Sequence, residues 1–169
     1  GKERTVIHQT VKRKALSVKR KSNPELSSSA THHASRITPV YYPVLLNLKG
    51  KKCIVVGGGK VAERKALPLL KSGAKVTVIS PECTERLKKE NLRGNIQYVP
   101  RRYKKGDLKN AFLVIAATDS NETNRKISED APYLVNIVDM PLLCNFIVPS
   151  VVRRGPLTIA VSTSGISPS

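Results

Sequence analysis

The sequence predicts an α/β fold, a doubly wound parallel sheet followed by a β-hairpin, and three observations predict it. Short apolar runs at residues 53–57, 75–79, 96–99, 112–117 and 134–138 alternate with segments spaced like helices. The run FLVIAA at 112–117 is apolar throughout, as a parallel strand covered on both faces requires. From residue 147 the helices stop: 147–152 and 157–162 are β-rich and joined by Arg153-Arg154-Gly155-Pro156, which reads as a hairpin turn.

The first strand, 53–57, runs into three consecutive glycines, Gly57, Gly58 and Gly59. Gly57, Gly59 and Ala62 stand at the spacing G-x-G-x-x-A, the dinucleotide-binding form of a strand–turn–helix. Gly57 permits the tight turn, Gly59 lets backbone N–H groups approach a pyrophosphate, and Ala62 is small enough for helix and strand to pack closely. The helix that follows offers the partial positive charge of its N-terminus to the phosphates. The sheet is therefore expected to be Rossmann-like.

The other elements follow in order. Residues 41–48 (YYPVLLNL) should lie across the sheet edge or cover the first strand. A helix is expected over 61–72, stopped by Gly73, with Pro68 kinking or shortening it. After the second strand, 75–79, Ser80 should cap a helix that has Pro81 at its first position and Glu82 and Glu85 in its first turns. The strand at 112–117 ends at Thr118-Asp119-Ser120, and a polar helix should occupy 121–130. The fifth strand, 134–138, ends at Asp139-Met140-Pro141.

Of the 169 residues, 30 are Lys or Arg and 12 Asp or Glu, a formal net charge of +18. Residues 1–39 contribute +7 and the remainder +11, so the folded part is itself basic and suited to an anionic ligand. Residues 1–39 read as a basic, polar extension. An organellar leader or a nucleic-acid-binding arm has this composition, but the aromatic interleaving of a nucleic-acid surface is missing. No apolar run approaches the ~20 residues that span a membrane. Cys53, Cys83 and Cys144 form no C-x-x-C pair and His8, His32 and His33 all precede the domain, so no metal site is expected. The cysteine usage fits a reducing, cytoplasmic compartment. The closing SGISPS ends no obvious element, and a truncation is expected there.

Ligands of open α/β sheets bind beyond the carboxyl ends of the strands. Residues 40–169 contain no histidine, so a general acid or base must be a carboxylate, Tyr, Cys or Lys. Asp119 and Asp139 are the two carboxylates at strand ends. Asp119 is equally placed to cap the following helix, and Asp139 to serve as a turn residue. An NAD-binding sheet ordinarily carries Asp or Glu at the end of its second strand, ~20 residues past the glycines. Ser80 stands there instead, with Glu82 two residues on and no basic residue beside it in the chain, which keeps NAD ahead of NADP.

Several separated motifs run together: GGGxVAxRK, AATDxxxxN, NxVDxP, F-I-x-P-S and SxxGxSP. With them, residues 41–169 resemble the siroheme synthase N-terminal domain family, the precorrin-2 dehydrogenases, some of which are also sirohydrochlorin ferrochelatases. The resemblance implies NAD-dependent oxidation of precorrin-2 to sirohydrochlorin in siroheme biosynthesis, with Fe²⁺ insertion as a second activity in some members. It implies that Gly57, Gly58, Gly59, Lys60 and Val61 cradle the cofactor phosphates. Pro81 and Glu82 would lie beside the adenosine ribose, and Thr118 and Asp119 near the nicotinamide. Asp139 would be the catalytic base, taking the proton lost in dehydrogenation and the pyrrole protons in chelation.

The substrate that the resemblance implies is a polycarboxylate, so Arg153 and Arg154 are candidates to hold it, or are simply an exposed turn. The family continues past SGxSP with a helical segment, and the hairpin edge wants a partner, so a homodimer is expected. The expected organisation is an extension (1–39), a dinucleotide-binding domain (40–145) and the start of a dimerisation and substrate region (146–169). The competing reading is a non-catalytic NAD-binding regulatory module, whose hairpin contacts a partner protein.

Overall fold

The computed structural model describes residues 41–163; the expectations for residues 1–39 and for the closing SGISPS lie outside the described residues. Five strands, β1 (Lys52–Val56), β2 (Lys75–Ile79), β3 (Ile96–Val99), β4 (Leu113–Ala116) and β5 (Leu134–Ile137), form one parallel sheet in the order β3-β2-β1-β4-β5. Helix α1 (Lys60–Lys71) links β1 to β2, α2 (Glu85–Leu92) links β2 to β3, and α3 (Asn121–Asp130) links β4 to β5. The order reverses direction between β1 and β4. That switch point is where such sheets open a crevice at their carboxyl edge.

The apolar runs become strands because both faces of the sheet are covered. Cys53 and Val55 of β1, with Leu113 and Ile115 of β4, pack under Ala62, Ala66 and Leu69 of α1 and Leu87 of α2. The alternate residues Ile54, Val56, Val114 and Ala116 face the other way, against Ile127 of α3 and Leu108 and Ala111 of the β3–β4 connection. The period of two along each strand thus divides one apolar run between two cores. Among the described residues no helix is long and apolar enough to cross a membrane.

The structure departs from the sequence-based expectations at four places. Helix α1 continues through Pro68 to Lys71. Pro68 and Arg64, whose carbonyl loses its donor to the proline, both lie on the exposed side, where water can replace the missing bond. Helix α2 begins at Glu85, and its cap is Thr84, whose hydroxyl accepts from the Leu87 N–H at 3.4 Å; residues 80–83 stay outside the helix, with a bend at Pro81 and Glu82. Of residues 41–48, only Leu48 is buried, and Tyr42 and Leu45 stand in solvent. Finally, the hairpin pairs β6 (Ser150–Arg154) with β7 (Leu157–Val161), so Arg153 and Arg154 are strand residues opposite Thr158 and Leu157 rather than the turn. Every residue of both hairpin strands is exposed.

Candidate functional site

A cleft of about 900 Å³ opens at the carboxyl edge of the sheet, at the upper end of the size range of ligand pockets. Its floor is the glycine turn. Gly57 has φ +118°, and a Cβ there would lie 2.1 Å from the Ala117 carbonyl oxygen at the end of β4. A Cβ on Gly58 would lie 1.9 Å from the Glu82 carbonyl oxygen. These two glycines are therefore fixed by the protein's own packing. Gly59 differs: a Cβ there would meet nothing within 4 Å. It is the N-cap of α1, and no side chain caps the helix. The unpartnered N–H groups of the first turn thus face open space, which is the cradle a pyrophosphate fills.

The β2–α2 bend forms one wall, held down by a short network. The Thr84 N–H donates to the Gly58 carbonyl at 3.0 Å. The Thr84 hydroxyl donates to the Glu63 carboxylate of α1, whose side chain is only 12% exposed. That hydrogen bond, helped by Lys60 and opposed by burial, holds the Glu63 carboxyl below its ordinary range. The Tyr98 hydroxyl of β3 donates to the Pro81 carbonyl at 3.0 Å. Pro81, Glu82 and Cys83 are thereby fixed over the glycine turn, on the side of β2 and β3.

The opposite wall is the end of β4. Ser120 caps α3 by accepting from the Thr123 N–H at 3.2 Å, which leaves Asp119 exposed at the cleft and free of the capping role. Thr118 is pinned by buried Asn124: its hydroxyl donates to the Asn124 Oδ1 at 2.7 Å, and the Asn124 amide donates to the Thr118 carbonyl at 3.0 Å. The spacing of AATDxxxxN therefore has a physical cause, since its asparagine sets the turn that carries Thr118 and Asp119.

Asp139 follows β5 with φ +62°, a left-handed conformation that aspartate tolerates better than most side chains. Buried Asn136 donates to the Phe146 carbonyl at 3.0 Å, and the Ile137 N–H donates to the Cys144 Sγ at 3.1 Å. These bonds fold residues 144–146 back along β5 and fix the turn between them. Asp139 and Val138 also line a second cavity of about 350 Å³, shared with Arg64, Lys65 and Cys144. Burial, and then the adjacent Arg64, pull the Lys65 ammonium below its ordinary value, while Asp139 and Cys144 act the other way. Burial pushes the Cys144 thiol up.

The cleft brings together Gly57, Gly58, Gly59, Lys60, Val61, Pro81, Glu82, Thr118, Asp119 and Asp139. Arg153 and Arg154 line neither cavity. Among the cleft residues that escaped the sequence reading are Arg102 and Tyr103. They follow β3, and only the sheet order, which sets β3 beside β2, brings them to Ser80. Among the described residues no group of three or more His, Cys, Asp or Glu side chains is placed to hold a metal ion.

Residues 44–150 match the family model described as "Putative NAD(P)-binding". The chain belongs to this NAD(P)-binding family. It is 46% identical over 129 residues to a siroheme synthase of Methylobacillus flagellatus, an alignment covering 75% of this chain and 28% of that protein. A siroheme synthase of Thioalkalivibrio sulfidiphilus is 45% identical over 131 residues, covering 76% and 27%. The chain thus spans just over a quarter of the length of the siroheme synthases it matches. Among solved structures it is similar to SirC, a precorrin-2 dehydrogenase, with a TM-score of 0.69 and 30% identity, over 76% of this chain and 64% of that one. The resemblance carried by the separated motifs is borne out, and so is the Rossmann-like sheet with its hairpin.

Proposed function

We propose that this chain is the cofactor-binding part of a precorrin-2 dehydrogenase, an oxidoreductase that converts precorrin-2 to sirohydrochlorin with NAD in siroheme biosynthesis. The observation that carries the reading is the position of Asp139, an exposed carboxylate at the seam between a dinucleotide-sized cleft and a second cavity. The likeness to siroheme synthases and to SirC supports the substrate, and the family supports a nicotinamide cofactor.

Bound in the cleft, NAD supplies a hydride acceptor at its nicotinamide ring. The substrate gives up a proton as well as a hydride in this oxidation, and a carboxylate oxygen of Asp139 takes that proton as general base. Gly58, Gly59, Lys60 and Val61 would hold the pyrophosphate through backbone N–H groups, while Gly57, whose own N–H donates to the Ile79 carbonyl at 2.9 Å, supplies the turn. Pro81 and Glu82 would hold the adenosine ribose, where the Glu82 carboxylate would suit its hydroxyls. Thr118 and Asp119, fixed by Asn124, orient the nicotinamide end. Arg64 and Lys65 make the second cavity attractive to the carboxylates of the substrate. Arg153 and Arg154 carry no role in this reading. In a ferrochelatase step, Fe²⁺ is a substrate and the same Asp139 takes pyrrole protons as the metal enters.

The reading extends to organisation. In this reading residues 40–145 are the dinucleotide-binding domain and 146–169 belong to a dimerisation and substrate region. The exposed apolar residues Val151, Val152, Leu157 and Ile159 of the hairpin suit a homodimer, and the cysteine usage suits the cytoplasm. Mixing the protein with NAD and precorrin-2 tests the proposal. NADH and sirohydrochlorin are expected to appear together, and later addition of Fe²⁺ tests metal insertion. A folded protein that binds NAD and yields no NADH overturns the dehydrogenase reading.

A further inference from the structure

The adenosine end of the cleft carries a charge arrangement that the glycine turn does not explain. Ser80 occupies the place of the acid that holds an unphosphorylated ribose and repels a phosphorylated one. Directly beside it runs the turn after β3. The Ser80 N–H and the Arg101 N–H both donate to one acceptor, the Val99 carbonyl oxygen, at 3.2 and 2.9 Å. The two residues flanking Arg102 are both committed elsewhere. Arg101 makes a bidentate pair with Asp107, 2.7 Å on each arm. The Tyr103 hydroxyl donates to Asp130 of α3 at 2.7 Å. Arg102 is held between these two anchors, is exposed, and lines the same cleft as Ser80, Pro81 and Glu82. Among the described residues its guanidinium makes no ion pair.

We propose that Arg102 is a specificity-determining residue that admits a ribose 2′-phosphate, so that the cleft binds NADP as well as NAD. Its planar fork suits a phosphate, and the neutral Ser80 hydroxyl leaves the approach free of the usual repulsion. Glu82, two residues further on, works in the opposite sense: its carboxylate favours the free ribose hydroxyls. Selection between the two dinucleotides is then a balance of Arg102 against Glu82, in place of the single carboxylate that ordinarily excludes NADP. The inference rests on the reading of the cleft as a dinucleotide site.

Equilibrium binding of NAD⁺ and of NADP⁺, each measured by calorimetry on the protein and on Arg102→Gln and Glu82→Gln, tests it. The expected result is that both dinucleotides bind. Arg102→Gln should raise the ratio Kd(NADP⁺)/Kd(NAD⁺) about tenfold, the loss of one charge-assisted phosphate contact. Glu82→Gln should lower that ratio. NAD⁺ binding with no measurable NADP⁺ binding, or a ratio that Arg102→Gln leaves unchanged, overturns this inference while leaving the cleft reading intact. Folded protein that binds neither dinucleotide overturns both.

Discussion

Glu82 excludes a side chain from Gly58: a Cβ built there would lie 1.9 Å from the Glu82 carbonyl oxygen and 2.9 Å from the Cys83 Cα. The contact is backbone against backbone, and the Thr84 N–H to Gly58 carbonyl bond holds the two segments at this separation. Gly58→Ala must displace the bend that forms the ribose wall, and it should cost about 1–3 kcal/mol of stability, the range of an overpacked core. Gly59→Ala makes the contrast. Its Cβ points into open space, so stability should fall by less than about 1 kcal/mol, the difference between Gly and Ala at an N-cap. The same Cβ intrudes where phosphates are held, and dinucleotide affinity should drop at least about tenfold. Denaturant unfolding and calorimetry on the two variants separate a glycine kept for packing from one kept for a ligand.

Acid should loosen the cleft wall through Glu63. The Thr84 hydroxyl holds its carboxyl below the ordinary value in the folded protein. A folded-state value below the unfolded one gives a stabilisation that is complete above the unfolded value and disappears as pH falls through the folded one. Stability should therefore decline below about pH 4.3, the unperturbed glutamate value. Glu63→Gln should make that decline shallower. Asp107, held low chiefly by Arg101, contributes with the same sign, so the variant removes part of the slope and not all of it. Urea midpoints measured between neutral and acid pH check this, and identical slopes in both proteins would contradict it.

Pro68 is a stability deficit built into α1. The helix carries it without breaking, yet a proline costs about 3 kcal/mol relative to alanine in a helix interior, partly offset by its stiffening of the unfolded chain. Because the residue is exposed, Pro68→Ala disturbs no packing. It should stabilise the protein by about 1–2 kcal/mol, read as a raised Tm. A lowered Tm would show that the proline serves the fold in a way the helix geometry does not reveal.

The strands were legible because their residues bury both faces, which makes a run such as FLVIAA unambiguous. The α3 bounds were legible because the polar segment between two apolar strands marks them locally, although the cap is Ser120 and not Asp119. The start of α2 was not, because Ser80-Pro81 and Thr84 are both acceptable helix starts in sequence. The choice is made by two tertiary contacts of Thr84, with Gly58 and Glu63, and no local pattern reports them. Arg102 escaped for the same reason, since its proximity to Ser80 comes from strand order rather than from chain distance. The hairpin is visible in the sequence, but its turn is shorter than the chain suggests: the arginines look like turn residues and instead pair across to Thr158 and Leu157, leaving Gly155-Pro156 as the turn.

The central claim is that Asp139 serves chemistry and not cofactor binding, and Asp139→Asn tests it most directly. Asparagine takes the left-handed backbone that Asp139 adopts, so the turn after β5 is preserved while the proton acceptor is removed. NADH formation from precorrin-2 should fall by about 10²–10⁴-fold with the Kd for NAD unchanged. Turnover at the unsubstituted rate, or a loss of NAD binding that accounts for the loss of turnover, would contradict the assignment of Asp139 as the base.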